Sequence, residues 1–168
     1  LAGAMIQRRF GKGVVGALAV APVAAAFLVS CAAFVQLRSL APDARLLLDV
    51  VWRCIDVGSL QADVAFAADP LSVTLLLVIT GIGGLIHLYS TAYMHEEEGY
   101  ARYFAALNLF TFFMTILVLG RNLAVLFVGW EGVGLCSYLL IGYWWKDAEK
   151  AAAGMKAFVV NRVGDFGF

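Results

Sequence analysis

A single glutamate, Glu131, interrupts an apolar run that is long enough to cross a membrane as one helix. The run extends over residues 123–145, which places Glu131 near the middle of a bilayer. Burying a charge at that depth costs several kcal/mol on insertion scales, so chains seldom carry one without a use for it. The residue therefore predicts an ion or proton relay that faces the protein interior. The alternative is a neutral, hydrogen-bonded acid that only fastens one helix to its neighbour.

Composition favours a membrane protein. The chain of 168 residues is 62% hydrophobic and 14% charged, whereas soluble domains carry about 25% charged residues. Its formal net charge is zero and no basic stripe is visible, which argues against a nucleic-acid partner. Cys31, Cys54 and Cys136 form no C-x-x-C pair, so we expect buried free thiols rather than a disulfide or a metal site.

Hydropathy predicts an all-α fold, a polytopic bundle of transmembrane helices that is truncated at both ends. Residues 1–13 are expected to hold the remnant of a first helix and a cytoplasmic loop, and residues 36–69 an external loop with a possible small hairpin. A good helix-start pair, Asp69-Pro70, opens the second predicted span. The predicted membrane helices are 14–35, 71–93, 103–119 and 123–145, followed by the start of another at 151–168.

The basic residues predict the orientation. One side of the predicted bundle collects Arg8, Arg9, Lys12, Arg102, Lys146 and Lys150, and the other collects Arg38, Arg45, Arg53 and Arg121. The positive-inside rule then places the loop at 146–150 in the cytoplasm or matrix and the Asp-bearing loop at 36–69 outside.

Four further polar residues inside the predicted helices are candidate site residues. Arg162 and Asp165 are three residues apart, share a helix face and can pair, either as a structural ion pair or as an element that biases protonation of a neighbouring site. His87 could pass a proton or make a hydrogen-bonded contact between helices. Lys156 is expected nearer the start of its helix, where its side chain could reach the interface.

The neighbours of Glu131 on its own helix face are Phe127, Val128, Gly134, Leu135 and Tyr138, which form an apolar, water-poor setting. Desolvation alone favours the neutral acid, and an opposite charge nearby would restore the ionised form. A carboxyl whose proton affinity depends on the approach of a cation suits a proton pump. Its own helix holds no Lys or Arg that could serve, so the cation must come from another helix.

The segment around Glu131 resembles a known family. Gly129-Trp-Glu-Gly-Val-Gly-Leu-Cys-Ser-Tyr-Leu-Leu-Ile-Gly-Tyr-Trp-Trp145 is similar to the central signature of the antiporter-like subunits of respiratory complex I, the subunit L or chain 5 family of NADH-quinone oxidoreductase. The similarity continues through Ala152-Ala-Gly-Met-Lys156-Ala-Phe-Val-Val-Asn-Arg162-Val-Gly-Asp165. It also includes Leu85-Ile-His87-Leu-Tyr-Ser-Thr-Ala-Tyr-Met94 and Glu97-Glu98-Gly-Tyr-Ala-Arg-Tyr-Phe104, whereas before Asp69 only hydropathy agrees.

The resemblance implies a proton-translocating membrane subunit in which Glu131 is the fifth-helix glutamate of a proton half-channel. Arg162 and Asp165 resemble polar residues of the family's sixth helix, and the glutamate's lysine partner would follow Phe168. Where the family commonly has Asp-Gly-Leu-Ser, this chain has Asp69-Pro70-Leu71-Ser72, which the first turn of a helix tolerates.

The same resemblance implies that the chain itself holds no cofactor and performs no redox chemistry. NADH, FMN, iron–sulfur clusters and quinone would be bound by other subunits of the complex. The expected partners are its other membrane subunits, the lipid bilayer and protons. The expected location is the bacterial cytoplasmic membrane, or the mitochondrial inner membrane if the chain is organellar.

Two other classes of protein compete with this interpretation. The large subunit of a multi-subunit sodium/proton antiporter, or a membrane-bound hydrogenase subunit, shares the glutamate-bearing helix, although Gly134-Leu-Cys-Ser-Tyr138 favours complex I. A purely structural membrane scaffold explains the hydropathy but gives no reason for Glu131, Arg162 and Asp165.

Overall fold

A computed structural model describes residues 2–57 and 60–167, and in these residues the chain forms five helices and one β-hairpin. The helices are α1 (Ala2–Ser39), α2 (Pro70–Tyr93), α3 (Tyr100–Leu119), α4 (Leu123–Ile141) and α5 (Ala148–Asp165). Strands β1 (Leu47–Val57) and β2 (Leu60–Ala68) pair antiparallel, and a 3-10 turn, Pro42–Ala44, precedes them. The predicted class, a bundle of long apolar helices, is confirmed, with the hairpin as a small β addition.

Four helical segments of the described chain are long and apolar enough to cross a membrane. They are Gly11–Ser39, Pro70–Tyr93, Tyr100–Leu119 and Leu123–Ile141. Helix α5 is not among them because its 18 residues carry five charged side chains, those of Glu149, Lys150, Lys156, Arg162 and Asp165. A helix of that composition needs neighbours for its charged side chains if it enters the bilayer.

Several boundaries differ from the predicted ones. Residues 2–10 are helical, and a break at Gly11 separates them from the span that follows. The backbone there has φ 79° and ψ 168°, a left-handed conformation that glycine adopts at low cost. At the other end, α4 stops at Ile141 rather than continuing to Trp145, and residues 142–146 form turns. The segment 36–69 holds strands β1 and β2, and residues 58 and 59 between them lie outside the described residues.

The hairpin lies against the turn between α3 and α4. The Arg121 N–H donates to the Ala65 carbonyl at 3.1 Å, and the Asn122 side-chain amide donates to the Asp63 carbonyl at 2.6 Å. The same Asn122 accepts from the Val125 N–H at 3.0 Å and so caps the first turn of α4. One side chain therefore fixes both the start of the Glu131 helix and its attachment to the hairpin.

At the start of α2, Asp69 and Ser72 form a capping box. The Asp69 carboxylate accepts from the Ser72 N–H at 2.7 Å, and Ser72 Oγ accepts from the Asp69 N–H at 2.8 Å. The hydrogen bond from the Ser72 backbone lowers the pKa of Asp69, because it stabilises the ionised form. Pro70 occupies the first turn, as the sequence predicts.

Helices α3 and α4 approach closely on one face of α4. A Cβ atom added to Gly129 would lie 2.6 Å from the backbone N and Cα of Leu117, and one added to Gly132 would overlap the Phe113 ring. Both glycines are buried, and they lie on either side of Glu131 in the sequence. Because one face of α4 is held against α3, Glu131 is directed to the opposite side, where α5 packs.

We expect Gly129→Ala to destabilise the helical bundle by about 1–3 kcal/mol, because the added methyl group meets backbone that cannot move cheaply. The thermal unfolding midpoint of the purified full-length subunit measures this effect. Gly134→Ala is the matched control on the same helix, since a Cβ there meets no described atom within 4 Å. Equal midpoints for the two variants would show that the close approach of α3 and α4 is not a constraint on stability.

Candidate functional site: a charged cluster between α4 and α5

Helices α4 and α5 meet along a line of residues that leads to Glu131. In the first half of α5, a Cβ added to Gly154 would lie 3.0 Å from the Gly142 backbone N. The backbones of α5 and of the end of α4 therefore approach closely there. One turn further along α5, the rings of Phe158 and Tyr138 pack with centroids 5.5 Å apart. The next turn of α5 presents Arg162, whose guanidinium lies 5.2 Å from the centroid of the Phe158 ring. These contacts direct the Arg162 side chain toward α4.

The guanidinium of Arg162 contacts the carboxylate of Glu131 through Nη1 and Oε2. The Glu131 side chain is 19% exposed and that of Arg162 is 49% exposed, so the pair lies at the edge of the described bundle rather than in its interior. The sequence predicts that a cation from another helix approaches Glu131, and in the structure Arg162 of α5 occupies that position.

Asp165 belongs to the same cluster. Its Oδ2 lies 4.0 Å from Arg162 Nη1, so the expected i,i+3 contact between these two residues is present, although Arg162 is closer to Glu131. Its other oxygen, Oδ1, accepts a hydrogen bond from the indole N–H of Trp130. One guanidinium therefore faces two carboxylates, and the second carboxylate is also bonded to an indole.

His87 is not part of this cluster. Its side chain is fully buried in α2, and its ring centroid lies 6.3 Å from that of Phe104 on α3. Nδ1 lies 2.7 Å from the Gly83 carbonyl of the same helix, so it donates there and leaves Nε2 as an acceptor in the neutral ring. Nε2 has no hydrogen-bond partner among the described residues. The polar contact of His87 is thus within its own helix rather than between helices.

Lys156 also lies apart from Glu131. It is in the middle of α5, because that helix begins at Ala148 rather than near residue 151, and its side chain is exposed. No ion pair of Lys156 occurs in the part of the chain that the structure describes. The structure therefore joins three of the five predicted site residues, Glu131, Arg162 and Asp165, and leaves His87 and Lys156 outside.

Sequence reasoning missed Trp130. It is adjacent to Glu131, so helical periodicity places the two side chains about 100° apart and gives no reason to group them. The link becomes visible only when α5 crosses α4 and brings Asp165 to the indole N–H. One feature of the sequence could have identified Trp130. Its indole is a hydrogen-bond donor next to the Glu131 carboxyl, in a span with few other polar groups.

A second group of polar side chains lies at the end of the bundle where α4 finishes and α5 begins. The Trp144 indole N–H donates to Glu97 Oε1 at 3.2 Å, and Arg102 Nη2 donates to the Tyr143 carbonyl at 2.8 Å. Burial raises the pKa of the Tyr143 phenol, while the Lys150 ammonium, 3.1 Å away, lowers the pKa of Asp147. These contacts tie the start of α3 and the loop before it to the loop before α5.

In the described part of the chain, the side chains that could bind a metal ion do not gather in either group. Among the described residues, no three His, Cys, Asp or Glu side chains cluster as a metal ion would require. Cys136 is fully buried and Cys31 is partly buried, both as free thiols, and the side chain of Cys54 lies outside the described part. The chemistry available to the α4–α5 cluster is therefore that of its carboxyl and guanidinium groups.

Two segments of the chain match known protein families. Residues 52–104 match the family described as NADH-Ubiquinone oxidoreductase (complex I), chain 5 N-terminus. Residues 120–168, which include the whole cluster, match the family described as NADH:quinone oxidoreductase/Mrp antiporter, TM.

Individual relatives cover most of the chain. NADH-quinone oxidoreductase subunit L of Escherichia coli (strain K12) is 44% identical over 96% of this chain and 26% of its own length. The same subunit of Pseudomonas aeruginosa is 51% identical over 69% of this chain and 19% of the relative. NADH-ubiquinone oxidoreductase chain 5 of Metridium senile is 48% identical over 70% of this chain and 20% of the relative.

The chain spans about a quarter or less of the length of these curated relatives. The two family matches together extend over both predicted motif regions, the one around His87 and the one around Glu131. The resemblance inferred from the sequence is confirmed: the chain belongs to the family that includes NADH-quinone oxidoreductase subunit L and NADH-ubiquinone oxidoreductase chain 5.

Proposed function

We propose that this chain is part of a proton-translocating membrane subunit of NADH-quinone oxidoreductase, in which Glu131 takes up and releases the transported proton. The observation that carries the proposal is the contact between Glu131 in the middle of α4 and Arg162 of α5, with Asp165 placed 4.0 Å from the same guanidinium. An isolated ionised carboxyl in an apolar span is unfavourable, and a mobile cation beside it provides control over its charge.

The first step of the mechanism is the loss of a proton. When Arg162 contacts Glu131, the guanidinium stabilises the carboxylate and the proton is released. The attraction between opposite charges is weaker where one of them is exposed, and the Arg162 side chain is 49% exposed.

The second step is the uptake of a proton. Asp165 offers Arg162 an alternative partner at 4.0 Å, close enough to be reached by a change of side-chain rotamer. When the guanidinium moves to Asp165, Glu131 is left with apolar neighbours and its neutral form is favoured. Alternation of Arg162 between the two carboxylates would thus load and unload Glu131.

In this proposal, the energy for the alternation comes from elsewhere in the complex. NADH, FMN, iron–sulfur clusters and quinone would be bound by other subunits, and this chain would supply a proton path. The other membrane subunits and lipid would cover the apolar side chains on the outside of the described bundle, which include Leu85, Leu123, Val160 and Val163.

The alternative is the large subunit of a sodium/proton antiporter, and the second family description also names an Mrp antiporter. The matched chain 5 region at 52–104 favours the respiratory complex. A subunit of either kind could use the same charged cluster, so the cluster itself does not distinguish the two kinds of subunit. The energy source that drives transport does.

Complementation tests the proposal directly. The full-length protein is expressed in bacteria that lack their own subunit L, and NADH-driven acidification of inverted membrane vesicles is recorded. We expect acidification to return. Sodium/proton exchange that needs no NADH would instead support the antiporter, and NADH oxidation restored without acidification would contradict a role in proton transfer.

The proposed orientation places the 36–69 loop outside and the 146–150 loop inside. Single cysteines at Ser39 and Ala148, in a full-length background without other cysteines, are labelled in intact cells with a membrane-impermeant thiol reagent. We expect labelling at Ser39 and none at Ala148, because the positive-inside rule keeps the lysine-bearing loop in the cytoplasm. Labelling at Ala148 alone would invert the topology.

A further inference from the structure

The indole of Trp130 occupies one oxygen of Asp165 and leaves the other facing Arg162. Trp130 Nε1 donates to Asp165 Oδ1, and Asp165 Oδ2 remains 4.0 Å from Arg162 Nη1. The same Nη1 contacts Glu131. Trp130 and Glu131 are consecutive residues of α4, so a single turn of that helix holds both carboxylates, one by its own side chain and one through a hydrogen bond.

The charges in this cluster do not balance. Two carboxylates face one guanidinium, and the charged side chains that the described residues place beside Glu131 are Arg162 and Asp165. Helix α3 presents the apolar Phe113 and Leu117 to this part of α4, and the described part of the hairpin meets the start of α4 near Asn122. The carboxylate that loses the competition for Arg162 therefore needs another donor to remain ionised.

We propose that Trp130 is a positioning residue that supplies this donor: its N–H holds Asp165 back from Arg162, so that the guanidinium stays on Glu131 in the resting state. The inference rests on the proposed function of Glu131 as a proton carrier. The role of Trp130 is different from that of Glu131: its hydrogen bond determines which of the two carboxylates Arg162 contacts. Phenylalanine at this position keeps an aromatic ring but has no N–H to donate.

The test is Trp130→Phe in the full-length subunit within the assembled complex. Infrared difference spectra follow the carbonyl stretch of protonated Glu131, identified by its absence in Glu131→Gln, as the pH is varied. Asp165 freed from the indole competes for Arg162, so Glu131 keeps its proton to higher pH. We expect the protonation midpoint to rise by about one pH unit, a tenfold gain in proton affinity, and the pH profile of NADH-driven proton transport to move in the same direction.

Two further variants distinguish positioning from general damage. In Trp130→Phe with Asp165→Asn, no second anion competes for Arg162, so the midpoint should be the same as in Asp165→Asn alone. Trp144→Phe is the matched control, because its indole N–H also bonds a carboxylate, that of Glu97 in the loop before α3, and Trp144 takes no part in the contacts of Arg162 with Glu131 and Asp165. It should leave the midpoint unchanged.

The possible results distinguish the role of Trp130 in positioning from the role of Glu131 in carrying the proton. If Glu131 shows a midpoint that Trp130→Phe does not move, the role of Trp130 is contradicted and Glu131 can still be the carrier. If Glu131→Gln transports protons normally, the proposed function itself fails. A midpoint that moves equally in Trp144→Phe would mean that loss of any indole, rather than this hydrogen bond, changes the site.

Discussion

Glu131→Gln in the full-length subunit is expected to reduce NADH-driven proton transport by at least about an order of magnitude while the complex still assembles. Glutamine has nearly the same shape and keeps hydrogen-bonding capacity, but it cannot release a proton. Loss of the carboxylate also removes the partner of Arg162, which leaves the guanidinium to Asp165 at 4.0 Å. Proton transport and NADH–quinone turnover are measured on the same vesicles, and assembly is followed on native gels.

Glu149→Gln is the control for this prediction. Glu149 lies in the first turn of α5, is exposed and takes no part in the Glu131 cluster, so the same chemical change there should leave transport unaltered. Normal turnover with an unchanged ratio of protons to electrons in Glu131→Gln would rule out Glu131 as the proton carrier. Its role would then be to hold α4 against a neighbouring helix.

The second large effect is expected for the two charged residues of α5. Arg162→Ala leaves both Glu131 and Asp165 without their cation, whereas Asp165→Ala leaves Arg162 fixed on Glu131. The first change favours protonated Glu131 and the second favours ionised Glu131, so each stops the alternation in a different state. Each single variant should therefore lose most proton transport.

The double variant tests whether the two residues act together. Arg162→Ala alone leaves the Asp165 carboxylate unpaired, and Asp165→Ala alone leaves the guanidinium fixed on Glu131. The double variant has neither defect. The combined loss, expressed as a free energy from the transport rates, should be smaller than the sum of the two single losses. Strict additivity would mean that the residues are independent, and Asp165 would become a candidate proton carrier in its own right.

Much of the fold was predictable because membrane helices must satisfy their backbone groups internally and present apolar side chains outward. That constraint makes the four apolar spans visible in the hydropathy. It does not fix their ends: α4 stops at Ile141 although Tyr143, Trp144 and Trp145 continue the apolar run. Where the chain turns, Tyr143 accepts a hydrogen bond from Arg102 of α3 and Trp144 donates one to Glu97 of the loop before α3, contacts between residues 41 and 47 positions apart.

The site was predictable in part for a similar reason. A charge in an apolar helix singles out Glu131, and i,i+3 spacing groups Arg162 with Asp165. Which acid Arg162 contacts depends on how α5 crosses α4, and that crossing is set by the packing of Gly154 on Gly142 and of Phe158 on Tyr138. Small and aromatic residues of this kind are common in membrane helices, so nothing in the sequence marks these four as the ones in contact.

The proposed mechanism depends on control of the Glu131 proton by Arg162. Infrared titration of the Glu131 carboxyl in the assembled complex, compared between the native protein and Arg162→Gln, measures this control. We expect loss of the guanidinium to raise the pH at which Glu131 is half protonated by at least about one unit, because the carboxylate loses its cation in apolar surroundings. Lys156→Gln removes a cation of the same helix that makes no ion pair with Glu131 among the described residues, and it should leave that pH unchanged. An identical midpoint in the native protein and Arg162→Gln would show that Arg162 does not control the proton on Glu131.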